Sequence, residues 1–413
     1  MKVDAILRTV LMSVAVTLGV AMVAGSALAQ DVGGDIGGGA GIFKPKNPET
    51  KKNTGKAPKP APKPSRTPTR KPTPNVELEN RVEELLDKGN DARDARKYAE
   101  AQEAYEGVLK LKARDGRAVY GLGNVYTDQR RWEEAEKYYR DAVEWSPTNV
   151  DAMVALSVVL VQPRTGSDNA KRFADAQGFA QRAVQLDPKN AVAWDRLGVA
   201  MQSRGVFNNE TEHAYRRAVE LDPQFAVAYA HLGRALKRLG RGNEAAPLYD
   251  RASELAKDPA TLVLIADSLQ AEQQWENSEP VLRRGLVMDA RNPSALFLMG
   301  RMLVVLKRYQ EAEAPLKTAV EVSPQSFQSY NLLGRTYLAL ERYDDAEKTY
   351  NSAVDLAPAA DRKQLAGAFG FEGVGDGFLK AKRRSDATRV YQRALDLDPG
   401  NQQLEKKLSK ARG

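Results

Sequence analysis

A 34-residue recurrence runs through the chain: Tyr309, Ala312, Ala319 and Pro324 return as Tyr343, Ala346, Ala353 and Pro358. The same interval separates Gly89 from Gly123, Ala101 from Ala135, and Gly300 from Gly334. A fixed period of this length predicts a stack of like units, each burying its apolar face on its neighbours, in place of one closed globule. A stack of that kind presents a long surface to partners and rarely builds a catalytic pocket.

Each unit carries two apolar stripes at helical spacing. Val119, Leu122, Gly123 and Tyr126 show the first, as do Trp194, Leu197, Gly198 and Met201; Ala135, Tyr139 and Ala142 show the second, as do Ala312, Leu316 and Ala319. A Gly inside a helix costs about 1 kcal/mol relative to Ala. Its return in unit after unit predicts that two helix backbones approach closely there, with Ala135, Ala245, Ala312 and Ala346 on the facing side. Units end at Ser146-Pro147, Asp187-Pro188, Asp222-Pro223, Ser323-Pro324 and Asp398-Pro399. The Pro stops one helix, and the Ser or Asp before it is expected to cap the next.

This pattern resembles the tetratricopeptide repeat, and the resemblance covers nearly all the chain after residue 80. It implies an all-α fold, an α-solenoid in which helix-turn-helix units wind into a right-handed superhelix. Nine units are expected, near 82–115, 116–149, 150–190, 191–225, 226–258, 259–292, 293–326, 327–360 and 367–400, with a polar capping helix in 401–413. Departures are local. The third unit has seven extra residues, Pro163 to Asn169; the sixth has Ala266 in place of the Gly; the ninth is irregular, with Gly367, Gly370, Gly373, Gly375 and Gly377. Those glycines lack the preceding strand and the Gly-Lys-Ser/Thr of a phosphate loop, so a frayed helix is expected there.

Composition narrows the chemistry. The 413 residues include no Cys and two His, His213 and His231, which excludes disulfides and thiolate metal sites and leaves little for acid-base work. The two histidines, like Trp132, Trp145, Trp194 and Trp275, read as surface or packing residues, the tryptophans as core. Residues 1–29 read as a secretory signal: Lys2 and Arg8, an apolar run from Val10 to Val23, and an Ala27-Leu28-Ala29 cleavage site. The linker 30–75 is Gly-rich, then Pro/Lys-rich, and is expected to be disordered and unable to pack. It holds ten Lys or Arg against three Asp or Glu, a net +7; residues 1–29 add +1, and the chain total is +8, so residues 76–413 sum to zero. The basic character belongs to the tail, and no nucleic-acid partner is expected of the solenoid.

Within the family, partners usually lie on the inner face formed by the first helices. Counted from the repeat Gly, the inner positions give a candidate groove of Asn90, Tyr120, Asn124, Arg234, Lys237, Phe297, Arg301 and Arg335, with Arg238 beside them. The basic residues of the later units suggest an acidic peptide partner. A carboxylate clamp of the family is not matched: Asn90 fits one position, but Leu86, Gly121, Asp151 and Ala155 occupy the others. The expectation is a non-catalytic, exported scaffold, in the periplasm or outside the cell, that binds a protein or peptide and needs no cofactor or metal. The alternative is an envelope adaptor whose basic linker touches anionic polymers or lipid headgroups while the repeats hold a protein.

Overall fold

The computed structural model describes residues 45–50, 74–164 and 166–413. The signal segment, its cleavage point after Ala29 and most of the 30–75 linker lie outside the described residues. The fold is an all-α solenoid, with no strand among the described residues. They form two compact units, one ending at Leu248 and the other beginning at Tyr249.

In the first unit helices pack as sequential pairs: α1 (Pro74–Asp94) on α2 (Tyr98–Leu111), α3 (Gly116–Asp128) on α4 (Trp132–Trp145), α5 (Val150–Leu160) on α6 (Asn169–Leu186), and α7 (Ala191–Ser203) on α8 (Asn209–Leu221), against which α9 (Ala226–Arg238) also packs. The division between the units falls inside α10 (Gly242–Leu255). The second unit pairs α11 (Pro259–Ala271) with α12 (Trp275–Met288), α13 (Pro293–Val305) with α14 (Tyr309–Val322), and α15 (Phe327–Ala339) with α16 (Tyr343–Leu356). A short helix α17 (Ala359–Arg362) and a 3-10 turn (Lys363–Ala366) then lead to α18 (Phe371–Lys380), α19 (Arg384–Leu397) and α20 (Gln402–Arg412). The last helix closes the stack: Leu404, Leu408 and Ala411 are buried while its other face is charged.

The repeat glycines act differently from the expectation. A Cβ on Gly123 would come within 2.5 Å of the Tyr139 ring, and one on Gly89 within 2.6 Å of the Tyr105 ring. The space is filled by an aromatic ring from the second helix, not by a second backbone. Tyr105, Tyr139, Tyr215, Tyr350 and Tyr391 are all fully buried in this way, four residues after the small and likewise buried Ala101 and Ala135 in the first two cases and Ala346 in the fourth; in the repeat of Ala312 the corresponding filler against Gly300 is Leu316.

The caps are also displaced from where sequence reasoning put them. Ser146, Asp187, Asp222, Ser323 and Asp398 end the second helices. At four of these five joins the next first helix is capped by a residue two positions past the Pro, Phe225 being the exception: Asn149 Oδ1 accepts from the Ala152 N–H at 2.9 Å, and Asn190 Oδ1 from Ala193 at 3.0 Å. The pre-proline Asp instead shapes the turn, as when Asp187 Oδ1 accepts from the Lys189 N–H at 3.2 Å.

Other departures resolve locally. Residues of the third-unit insertion precede a lengthened α6 of 18 residues, where buried Arg172 is paired with Glu136 and donates to the Val159 carbonyl at 3.1 Å. The ninth unit's first helix is regular and starts at Phe371, not Gly367; Phe371 and Phe378 are fully buried, and Gly375 and Gly377 lie under the rings of Tyr391 and Tyr343. The four tryptophans are half-buried rather than core, because the repeat core is filled by Tyr and Ala. Trp194 illustrates this, its indole N–H donating to the Pro188 carbonyl at 2.9 Å.

Candidate functional site

The clearest arrangement of polar side chains lies on α1 and α3 of the first unit. Asn90 and Asn124 hold equivalent places 34 residues apart, one on each first helix. A core tyrosine fixes each amide: the Tyr105 hydroxyl donates to Asn90 Oδ1 at 2.8 Å, and the Tyr139 hydroxyl donates to Asn124 Oδ1 at 2.9 Å. Burial pushes both phenols up, so they stay neutral donors. With the oxygen occupied, each amide presents its NH2 as the outward donor.

Those donors meet the chain's own residues 45–50. Asn124 Nδ2 donates to the Lys46 carbonyl at 2.8 Å, and Asn90 Nδ2 to the Pro48 carbonyl at 3.1 Å. Arg93 Nη1 donates to the Pro45 carbonyl at 2.9 Å and to Asn47 Oδ1 at 2.8 Å, while its Nε and Nη2 grip Asp128 at 2.7 and 3.0 Å. Burial works against the Arg93 charge, but the Asp128 bonds outweigh it and hold the guanidinium protonated. Arg117 Nη1 reaches the Glu49 carbonyl at 3.3 Å. Around this ladder, Asn47 Nδ2 donates to Asp94 at 2.9 Å and Lys46 Nζ lies 3.5 Å from Asp151.

The segment is non-helical, with Pro45 and Pro48 buried, and no backbone hydrogen bond among the described residues links it to itself. Four of its carbonyls are taken instead by groove side chains. Bonds of this kind contribute about 0.5–1.5 kcal/mol each, and more where an Arg is the donor. These linker residues, expected to be unable to pack, are therefore ordered against the first three repeats. Asp151, where a clamp would carry a base, makes this end of the groove suited to a Lys.

The remaining predicted residues are not gathered here. Tyr120 is buried against Tyr139, with ring centroids 5.9 Å apart, and is core. Arg234, Lys237 and Arg238 follow on α9, where Arg238 lies over the Phe207 ring at 5.6 Å. Phe297, Arg301 and Arg335 belong to the second unit. There Arg301 is buried, donating to Asp267 at 3.0 Å and to Gln270 at 2.8 Å across the Phe297 ring, so its charge is already neutralised. Arg335 lies over Phe369 at 5.1 Å, at a cleft of about 290 Å³ that Val304 and Tyr309 also line. Sequence reasoning did not single out Arg93, although it stands at an inner position four after Gly89, nor Arg117, whose partner Glu83 lies one repeat earlier.

One buried charged cluster lies apart from the ladder. Asp195 pairs with Arg196, and its Oδ1 is 2.7 Å from His231 Nδ1. Burial alone would push the Asp195 carboxyl up, yet Arg196 and His231 outweigh it and hold it below the usual carboxylate range. His213 is exposed and stacks edge-on against Trp194. Among the described residues no group of three or more acidic or His side chains could hold a metal, and no helix is long and apolar enough to cross a membrane.

Family comparisons agree with the helix pairing. Two tetratricopeptide-repeat models match residues 86–150 and 228–263. Both segments are thus similar to tetratricopeptide repeats. A third model, described as anaphase-promoting complex, cyclosome, subunit 3, matches residues 271–353 of the same repeat array. Among solved structures, the chain is similar to the MamA protein, at 24% identity over 43% of this chain and 92% of that one, with a TM-score of 0.36. It is also similar to TTC0263, a thermophilic TPR protein in Thermus thermophilus (21% identity, 46% and 99% covered, TM-score 0.39). A third is YrrB, described as a TPR protein with an unusual peptide-binding site (22% identity, 48% and 96% covered, TM-score 0.36). A comparison with curated proteins finds no match.

Proposed function

We propose that this tetratricopeptide-repeat chain is a non-catalytic interaction scaffold whose first unit holds peptide segments by their main-chain carbonyls. The observation that carries the reading is the paired amide ladder: Asn90 and Asn124, one repeat apart, each oriented by a buried Tyr and each donating to a carbonyl of a non-helical segment. Binding through the backbone gives affinity, and pockets such as the Asp151 corner add side-chain preference. The basic stretch with an acidic partner is not the favoured mode at this segment, whose Asn47 and Lys46 side chains meet Asp94 and Asp151.

A peptide array probed with the mature chain tests this. The wild-type chain should retain a subset of proline-containing peptides, and the Asn90→Ala/Asn124→Ala variant, its helical content verified by circular dichroism, should lose them. Identical profiles would overturn the reading. We further propose that the chain is exported by its first 29 residues, on the charge, apolar run and Ala-Leu-Ala of that segment. Sequencing the N-terminus of the protein from its own cells should read from Gln30; a start at Met1 or Lys2 refutes cleavage.

A further inference from the structure

We propose that residues 45–50 are a built-in occupant of the first-unit groove, so that a partner enters only by displacing them with a proline-containing segment of its own. This rests on the groove reading above and adds its regulation. The occupant satisfies the groove closely: Pro45, Lys46, Pro48 and Glu49 each give a carbonyl to a side chain, on Arg93, Asn124, Asn90 and Arg117 respectively. Its side chains are read as well, Asn47 by Arg93 and Asp94 and Lys46 by Asp151.

The chemistry of the incoming segment follows from what the groove does and does not offer. The groove side chains that meet the backbone are all donors, and they meet carbonyls. Proline has a carbonyl but no N–H, so it loses nothing in such a site. Proline also biases the residue before it to extended geometry, which leaves the carbonyls free for outside donors. The matching partner is thus an open Pro-x-Asn-Pro-like segment with a Lys facing Asp151. An acidic segment would meet Asp94 and Asp151 instead.

Covalent attachment sets the strength of the competition. Residues 51–73 join the occupant to α1, and a connection of that order gives an effective concentration on the order of 1 mM. A free peptide whose intrinsic Kd is on the order of 0.1 mM would then bind the closed chain about tenfold more weakly than an open one.

The experiment uses the full mature chain and a fluorescein-labelled synthetic peptide with the sequence of residues 44–52. An opened variant carries Pro45→Gly, Asn47→Ala and Pro48→Gly, which leave every repeat residue in place. Fluorescence anisotropy should show the peptide binding the opened variant about tenfold more tightly than wild type. Adding Arg117→Ala to the opened variant, with helical content checked by circular dichroism because Arg117 also pairs with Glu83 and Asp115, should weaken binding again. Equal affinity for wild-type and opened chains would overturn the built-in occupant while leaving the groove reading in place. Failure of the peptide to bind the opened variant would overturn both.

Discussion

The Tyr139 hydroxyl donates to Asn124 Oδ1 at 2.9 Å, and so a core side chain aims a groove side chain. The same hydroxyl lies 2.9 Å from Thr127 Oγ1, closing a buried network around one amide. Tyr139→Phe keeps the ring against Gly123 but frees the amide to rotate. It should lower stability by about 1–2 kcal/mol, since two buried polar groups lose a partner. It should also release residues 45–50, seen as faster tryptic cleavage after Lys46 under native conditions. Unchanged cleavage would show that the amide needs no orientation from the core.

Gly334 tests the steric role of the repeat glycine away from the groove. A Cβ there would lie 2.7 Å from the fully buried Tyr350 ring. Gly334→Ala raises helix propensity by about 1 kcal/mol, whereas overpacking costs about 1–3 kcal/mol. The ring is also held by Phe371, 5.8 Å away between centroids, and by its hydroxyl, which donates to the Phe369 carbonyl at 2.6 Å, so relaxation is limited and the overpacking wins. The urea midpoint should fall; a rise would mean that the ring yields.

How much of this was readable beforehand follows from the range of each interaction. Helix pairing, the small-residue stripes and the closing helix are written as periodicity, because a stripe of Ala and Leu at spacings of three and four has one way to be buried. The role of Gly123 was half readable: its need for space is visible, but whether a backbone or the Tyr139 ring fills that space depends on the rotamer of a residue 16 positions on. The cap moved from Ser146 to Asn149 because both are polar beside the same Pro, and only backbone direction separates them. At the site, Asn90 and Asn124 stood out by position. Their ligand did not, since residues 45–50 lie inside a low-complexity tract and contact groove residues as distant as Asp151, 105 positions on from Lys46. Arg301 looked like a free groove charge because its partner Asp267 belongs to the previous repeat.

The turn inside each helix pair offers a stabilising change. Arg96, Arg130, Gln273, Lys307, Glu341 and Lys382 all have φ near +60°, and Gly205 and Gly240 take the equivalent turn with the residue suited to it. Left-handed backbone costs a residue with a Cβ about 1 kcal/mol or more, offset in part by the greater chain entropy that Gly loses on folding. Lys307 is exposed at a φ of 59°. Lys307→Gly should therefore raise the thermal midpoint by an amount equivalent to up to about 1 kcal/mol, with peptide binding in the first unit unchanged. A lowered midpoint would mean that the Lys side chain stabilises the turn by more than its backbone strain.

The buried Asp195 cluster gives a pH signature with a definite sign. In the folded chain Asp195 is held below the ordinary carboxylate range by Arg196 and His231, against the effect of its own burial. In the unfolded chain it titrates at about 4. A depressed folded value means that the unfolded state binds the proton first, so the contribution of Asp195 to stability is complete above the unfolded value and is lost as pH falls through it toward the folded one. Asp195→Asn removes the buried carboxylate that both Arg196 and His231 face, and breaking a buried pair typically costs about 3–5 kcal/mol at neutral pH. The difference in urea midpoint between wild type and variant should be largest near pH 6 and shrink steadily below pH of about 4. If that difference stays constant down to the acid limit of folding, the carboxylate is not what holds α7 to α9, and packing of the His231 ring against Tyr215, 5.5 Å between centroids, carries that contact instead.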